Sequence, residues 1–386
     1  MRIAYFTDTY SPEINGVTNT LSKLGNYLDK LRIHQLVIAS EYENESPRCD
    51  SIYRKISRFK GIKTSISPKS RLAIPAFWDV DRICDDFMPD IIHVTTELGI
   101  GFRGMRYAYT RNIPLVMSYH TDYCKYLKYH NLELIQPVLE KYLSWFYSFS
   151  CRTLVPSLNT LSVLKKKGYS NLDIWSRGID SGNFNPEYRN ERLRKTLADG
   201  KFIFLYVGRL SAEKNLDLLL NAAENIELNF PGQTAFVFTG DGPYAKNITN
   251  KNLPNTILTG FSRGSELSEI YASADCFAFP SSTETFGNVV LEAMASGLPI
   301  AAVGSGGVTD FLFHNFNSLL CAPDSSENFV NNLVSIMRNN ELRLQLSVNA
   351  RNSALSRDWD SVFSGLLNIY AETIRENQQR VTRLSA

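Results

Sequence analysis

The run Thr283-Glu-Thr-Phe-Gly-Asn-Val-Val-Leu-Glu292 sets two carboxylates eight residues apart around a glycine. Glu284 falls in a turn just after a short apolar strand, Cys276 to Pro280, and Glu292 falls inside the helix that the turn opens. Eight residues at helical rise span about 12 Å. The two acids therefore cannot hold one metal ion or share one proton, but they can grip the two ends of an extended ligand. Between them the N–H groups of Phe286, Gly287 and Asn288 lie at a helix N-terminus, where unpaired donors and the helix dipole suit a phosphate. Hydroxyls at one end, phosphate in the middle and ribose at the other describe a nucleotide sugar.

A second charged pair, Arg209 and Lys214, lies in Gly208-Arg-Leu-Ser-Ala-Glu-Lys-Asn215, just beyond a strand that ends at Val207. Open α/β sheets bind ligands at the carboxyl ends of their strands. Two cations there neutralise charge growing on a departing diphosphate, a stabilisation that acts mainly in the transition state. Asn15-Gly16-Val17 follows the first strand and opens the first long helix. Its glycine lets the backbone approach a ligand, or simply makes a βα turn. His120, in Ser118-Tyr-His-Thr-Asp-Tyr123 at another strand tip, can hydrogen-bond a sugar and place an acceptor, or serve the fold alone. Gly240-Asp-Gly-Pro243 and Gly304-Ser-Gly-Gly307 are glycine loops that fit either a ligand rim or plain turns.

The elements that must carry these residues follow the βαβ rhythm of parallel sheets, short apolar runs alternating with longer amphipathic ones. The first series of strands is Ile3–Thr7, Gln35–Ala39, Ile91–Val94, Leu115–Ser118 and Thr153–Pro156, with helices at Val17–Leu31, Leu132–Phe149 and Leu158–Lys167. The second is Phe202–Val207, Ala235–Thr239, Thr256–Leu258, Cys276–Pro280 and Pro299–Ala302, with helices at Asn215–Asn229, Ser265–Ala272 and Phe286–Ser296. Glu41–Ser70 reads as a polar loop with an edge strand. A chain of 386 residues outgrows a single core. The Gly, Asp, Asn and Pro cluster near Gly178–Arg194 sets the division into residues 1–180 and 181–359. A last helix carries apolar residues at helical spacing, Val362, Leu366, Leu367 and Tyr370.

The Glu-x7-Glu pattern, the Gly-Arg-x4-Lys at 208–214, the His-Thr-Asp at 120–122 and Arg177-Gly-Ile-Asp180 together resemble the retaining glycosyltransferases of family 4. The likeness runs along nearly the whole chain. It implies the α/β architecture called GT-B, two Rossmann-like domains facing across a cleft, with a C-terminal helix (about 360–386) crossing back to the first. It implies a hexosyltransferase with its donor mainly on the second domain and its acceptor on the first. Glu284 would contact the transferred sugar and Glu292 the ribose, with backbone groups of Phe286 to Val289 on sugar and phosphate. Gly208, Arg209 and Lys214 would meet the diphosphate, and the Asn15-Gly16 loop would reach towards it. Gly260, Phe261 and Arg263 would hold the base, and His120 would join Arg209, Lys214 and Glu284 in catalysis.

No cofactor and no metal are expected, the two cations and the helix N-terminus standing in for a metal. GDP-mannose is the first choice of donor; UDP-glucose, UDP-galactose and UDP-sulfoquinovose users have similar segments. The acceptor would be a glycolipid, a phosphoinositide-like lipid or an envelope polysaccharide. A sugar-nucleotide epimerase on the same fold and a non-catalytic sugar-binding protein are the rivals. No nucleic-acid partner is expected.

Other motifs point elsewhere. Gly99-x-Gly101-x-x-Gly104 matches a dinucleotide fingerprint, but four residues part it from its strand, so the tight turn is misplaced. Asp79-Val-Asp81 matches a metal-binding D-x-D, yet it sits in a helical run, Phe77 to Phe87. The six cysteines are scattered and read as free thiols in a reducing compartment. Net charge is +2, split as 24 basic against 18 acidic residues over 1–180 and 17 against 21 beyond. Met1 to Asp8 lacks the parts of a signal peptide and no apolar run reaches ~18 residues, so a cytoplasmic location is expected. Aromatics and lysines crowd 123–149 (Tyr126, Tyr129, Tyr142, Trp145, Phe149; Lys125, Lys128, Lys141), with more lysines at 165–167. These suit either peripheral docking on an anionic membrane or a core helix with snorkelling lysines.

Overall fold

The computed structural model describes residues 1–13, 15–42, 51–63, 71–124, 127 and 133–385. Lys125, Tyr126, Lys128, Tyr129 and much of the Glu41–Ser70 segment, Cys49 included, lie outside the described residues. The chain divides into two compact units. One holds Met1–Leu127, Leu132–Ser176 and Asp360–Ala386; the other holds Arg177–Trp359.

The first unit is built on strands β1 (Arg2–Thr7), β2 (His34–Ser40), β3 (Arg54–Phe59), β6 (Ile91–Val94), β7 (Leu115–Ser118), β8 (Arg152–Val155) and β9 (Leu172–Ile174), with a small antiparallel pair, β4 (Gly61–Lys63) and β5 (Arg71–Ala73), beside them. The seven strands pair in parallel in the order β3-β2-β1-β6-β7-β8-β9. The polar 41–70 stretch does contribute its edge strand, β3, in register with β2. The second unit carries β10 (Phe202–Val207), β11 (Thr234–Thr239), β12 (Thr256–Gly260), β13 (Cys276–Phe279), β14 (Ile300–Val303) and β15 (Ser318–Cys321). They also pair in parallel, in the order β12-β11-β10-β13-β14-β15. The GT-B expectation of two Rossmann-like sheets is met.

Helices cover both faces of each sheet, which is why the strands read as continuous apolar runs rather than alternating ones. In β10 the alternation is spatial. Ile203, Leu205 and Val207 join one core cluster and Phe204 and Tyr206 the other, as a period of two demands. Strands β9 and β15 escape the sequence reading because each is short and borders polar residues.

The final helix, Trp359–Ser385, groups with the first unit from Asp360 onward. It buries Phe363, Leu366, Tyr370 and Thr373, one stripe at helical spacing. Phe363 packs its ring on Tyr27 at 5.4 Å, and Arg152 pairs with Glu376 at 2.6 Å. Tyr370 bonds through its hydroxyl to His93 Nδ1 at 2.5 Å, while Nε2 of the same buried imidazole meets Ser118 Oγ at 2.5 Å.

The dinucleotide-like glycines have a packing reason. They lie in the helix Gly99–Arg111, where a Cβ on Gly101 would fall 1.7 Å from Thr96 O and one on Gly104 2.5 Å from the Phe6 ring. Gly104 lets the helix lie close on β1, and Gly101 lets it lie close on the segment after β6. Asp81 is paired with Arg106 at 3.1 Å on a helix face, and Cys84, Cys124, Cys276 and Cys321 are buried and unbridged.

Candidate active site

In the second sheet the chain runs outward from β10 to β12 and then returns to β13 on the other side of β10. The carboxyl ends of β10 and β13 therefore flank a topological switch point, where open α/β sheets hold ligands. The loop after β10 carries Gly208, Arg209 and Lys214; the turn after β13 carries Glu284 to Gly287.

The two segments are tied directly. Lys214 Nζ donates to Glu284 Oε1 at 2.5 Å, and the Thr283 hydroxyl donates to the Glu213 carbonyl at 3.1 Å. Arg209 is more exposed and its guanidinium lies 3.8 Å from the buried carboxylate of Glu213, which also receives the Ser211 hydroxyl at 2.6 Å. Tyr206, buried in β10, donates its hydroxyl to the Arg209 carbonyl at 3.0 Å. Burial pushes that phenol well up, so it stays a donor.

Glycines set the loops against one another. A Cβ on Gly240 would fall 1.9 Å from Gly208 O, and one on Gly242 2.2 Å from Leu210 O. The Gly208 and Leu210 N–H groups bond to Thr239 O and Asp241 O, continuing the β10–β11 ladder into the loops. On the other side Gly307 N donates to Glu284 O at 2.8 Å, and a Cβ on Gly307 would fall 2.0 Å from Thr285 O. The two glycine loops that fitted either a rim or a turn thus brace the charged segments from behind.

The helix opened by this turn is Asn288–Ala295, with Gly287 at φ 98° as its cap and no side chain capping it. Only the second half of the Glu284–Glu292 spacing is helical, so helical rise does not fix the span of the two acids. Among the described residues no acceptor takes the backbone N–H of Gly287, Asn288 or Val289. Phe286 turns its side chain into the core against Phe311, leaving its backbone to the turn. Glu292 is held by a residue that sequence reasoning missed: Tyr271 donates to Glu292 Oε2 at 3.0 Å. Gly260 ends β12 at φ 78° and accepts from Gly240 N at 2.8 Å. Phe261 beside it is 56% exposed, and Arg263 is exposed at the cap of the next helix.

The first unit holds the other candidates. Asn15 caps the helix Gly16–Lys30, its side chain accepting from Val17 N and Thr18 N and donating to Thr9. That amide is committed to the turn, so a ligand would meet backbone at Gly16. His120 follows β7, its ring 5.9 Å from Trp175. The switch point of this sheet lies between β1 and β6, and the segments beyond them carry Asp8 and Glu97. Asp8 accepts from Thr96 Oγ1 and Ile100 N, and Glu97 from the Tyr147 hydroxyl at 2.6 Å. Burial raises both carboxyls to about 7. Neither residue stood out in sequence, where each is one acid beside a strand end. Among the described residues no group of three or more His, Cys, Asp or Glu could hold a metal ion.

Residues 14–182 match the family model Glycosyltransferase Family 4, and residues 188–353 match Glycosyl transferases group 1. A GDP-mannose-dependent alpha-mannosyltransferase of Mycobacterium tuberculosis is 31% identical over 97% of this chain and 97% of its own length. An alpha-monoglucosyldiacylglycerol synthase of Streptococcus pneumoniae is also 31% identical, over 79% of this chain and 71% of its own. In fold the chain is similar to Anabaena Alr3699/HepE in complex with UDP, with a TM-score of 0.76, 19% identity and coverage of 96% of this chain and 100% of that one. The chain belongs to family 4 of the glycosyltransferases, the group 1 glycosyl transferases, and is a hexosyltransferase of GT-B fold.

Proposed function

We propose that the chain transfers mannose from GDP-mannose to a hydroxyl of a glycolipid or cell-envelope glycan, with retention and without a metal. The observation that supports the reading is the tie between the two segments at the β10–β13 switch point: Lys214, on the Arg209 loop, bonds Glu284, and among the described residues no acceptor takes the N–H groups beside Gly287, donors of the kind that suit a diphosphate. Glu284 takes the transferred sugar, Glu292 the ribose, and the Gly260–Arg263 segment the base. The anomeric C–O bond to the diphosphate breaks as the acceptor oxygen bonds the same face. The acceptor's proton passes to the departing diphosphate oxygen, and Arg209 and Lys214 stabilise the charge left there. His120, on the first unit, places the acceptor. Mannose as the sugar is favoured by the Mycobacterium tuberculosis relative, similar over the full length of both chains.

A UDP-sugar donor is the second reading, with glucose as the sugar that the name of the Streptococcus pneumoniae relative, an alpha-monoglucosyldiacylglycerol synthase, favours. Thermal shift with a panel of nucleotide sugars separates the two, because a ligand bound only by the folded state raises stability by RT ln(1 + [L]/Kd). Stabilisation by GDP-mannose alone supports the first reading; stabilisation by UDP-sugars alone removes it.

The acceptor reading includes docking on an anionic lipid surface. No helix among the described residues is long and apolar enough to cross a membrane. Leu134, Val138, Lys141 and Trp145 instead form one exposed stripe along the helix Gln136–Tyr147 and the turn before it. Leu143, Phe146 and Tyr147 face the core.

A further inference from the structure

Tyr271, in the helix Gly264–Ser273, is fully buried. Its ring lies edge-on to Phe184 at 5.5 Å and tilted over Phe277 at 5.9 Å. A phenylalanine would fill the same space, so packing does not account for the hydroxyl. A buried hydroxyl is costly unless it is bonded. This one has two acceptors, Glu292 Oε2 at 3.0 Å and Val289 O at 3.2 Å. The two lie one turn apart on the helix Asn288–Ala295, so a single phenol spans the backbone and the carboxylate of one face. Burial pushes the phenol well above its usual range, and it remains a donor at any working pH.

We propose that Tyr271 is a positioning residue for the nucleotide, fixing the Glu292 carboxylate where the ribose hydroxyls arrive. This rests on the reading above that Glu292 meets the ribose. A glutamate on three rotatable bonds loses freedom when it captures a ligand, and a carboxylate fixed beforehand loses less. The hydroxyl therefore acts on binding of ribonucleotides and not on the bond-making step.

The test is calorimetric titration of the parent, Tyr271→Phe and Glu292→Gln with GDP and UDP and with their 2′,3′-dideoxy forms. Tyr271→Phe is expected to weaken the preferred ribonucleotide about three- to tenfold, the net worth of one ordinary hydrogen bond. The dideoxy form should bind parent and variant alike, and KM for the donor should rise with kcat unchanged. Glu292→Asp, which draws the carboxylate back from Tyr271, should show the same ribose-confined loss. Equal weakening of ribo and dideoxy forms by Tyr271→Phe, or no weakening of either, overturns the inference while leaving Glu292 in place. If the parent does not distinguish ribo from dideoxy forms and Glu292→Gln binds as the parent does, the ribose reading of Glu292 falls and takes the inference with it.

Discussion

Lys214 and Glu284 form a mostly buried ion pair, Nζ to Oε1 2.5 Å, that joins the loop after β10 to the turn after β13. One bond thus fixes both lips of the switch point, and it places a cation and an anion side by side before any ligand arrives. A donor diphosphate would compete with Glu284 for Lys214, which makes the pair both a scaffold and a charge reserve.

Removal of either member leaves the other charge poorly solvated. Lys214→Ala is expected to lower kcat about 10²–10³-fold, the loss seen when a transition-state donor is removed. Each single alanine should also cost ~1–3 kcal/mol of stability, and Lys214→Ala/Glu284→Ala should cost less than the two together. Urea unfolding of the four proteins and steady-state kinetics check this. Additive stabilities would show that the pair does not couple the two segments.

Gly240 stands for the glycine bracing. Its Cβ would meet Gly208 O at 1.9 Å, so Gly240→Ala must push the Arg209 loop aside or unfold it. A loss of about 2–4 kcal/mol is expected, with activity falling further than stability explains. Gly365→Ala is the control, a helical position with nothing near its Cβ. It should be neutral or stabilise by up to about 1 kcal/mol. Equal melting temperatures for the two variants would contradict the bracing.

The parts of this molecule that were legible in sequence share a physical cause. Parallel strands covered on both faces are apolar throughout, so Phe202–Val207 and Cys276–Phe279 announce themselves. Charged residues at strand ends, such as Arg209 and Lys214, contrast with those runs. The supports behind the charges have no such contrast. Tyr206 and Tyr271 read as core aromatics, and only coordinates reveal where a buried hydroxyl points. Asp8 and Glu97 are 89 positions apart and face one sheet edge only because the chain doubles back between β1 and β6.

The exposed stripe on the helix Gln136–Tyr147 predicts a lipid interaction that responds to both charge and apolar contact. Leu134 is 95% and Val138 70% exposed, with Lys141 between Val138 and Trp145. Co-sedimentation should capture the protein on vesicles containing anionic lipid and lose it as salt rises. Leu134→Asp/Val138→Asp should abolish capture with no change in melting temperature, since neither side chain is in the core. Equal capture of parent and variant would move the docking surface elsewhere.

Asp8 and Glu97 predict how stability depends on pH. Both carboxyls, raised by burial from ordinary values of 3.8 and 4.5 to about 7, hold their protons in the fold where an unfolded chain has released them. Below about pH 3 both states are protonated and the fold loses nothing. Between about 4 and 7 the unfolded state binds fewer protons, so stability falls as pH rises. Above about 7 the folded groups ionise as well, and the loss stops growing. Glu97→Gln keeps an acceptor for the Tyr147 hydroxyl and removes the charge. The variant should therefore have a flatter profile between pH 5 and 8 and exceed the parent at pH 8 by more than about 1 kcal/mol, the worth of a one-unit shift. Urea midpoints measured across that range decide it. A variant that tracks the parent at every pH would mean that Glu97 ionises in the fold as readily as in water.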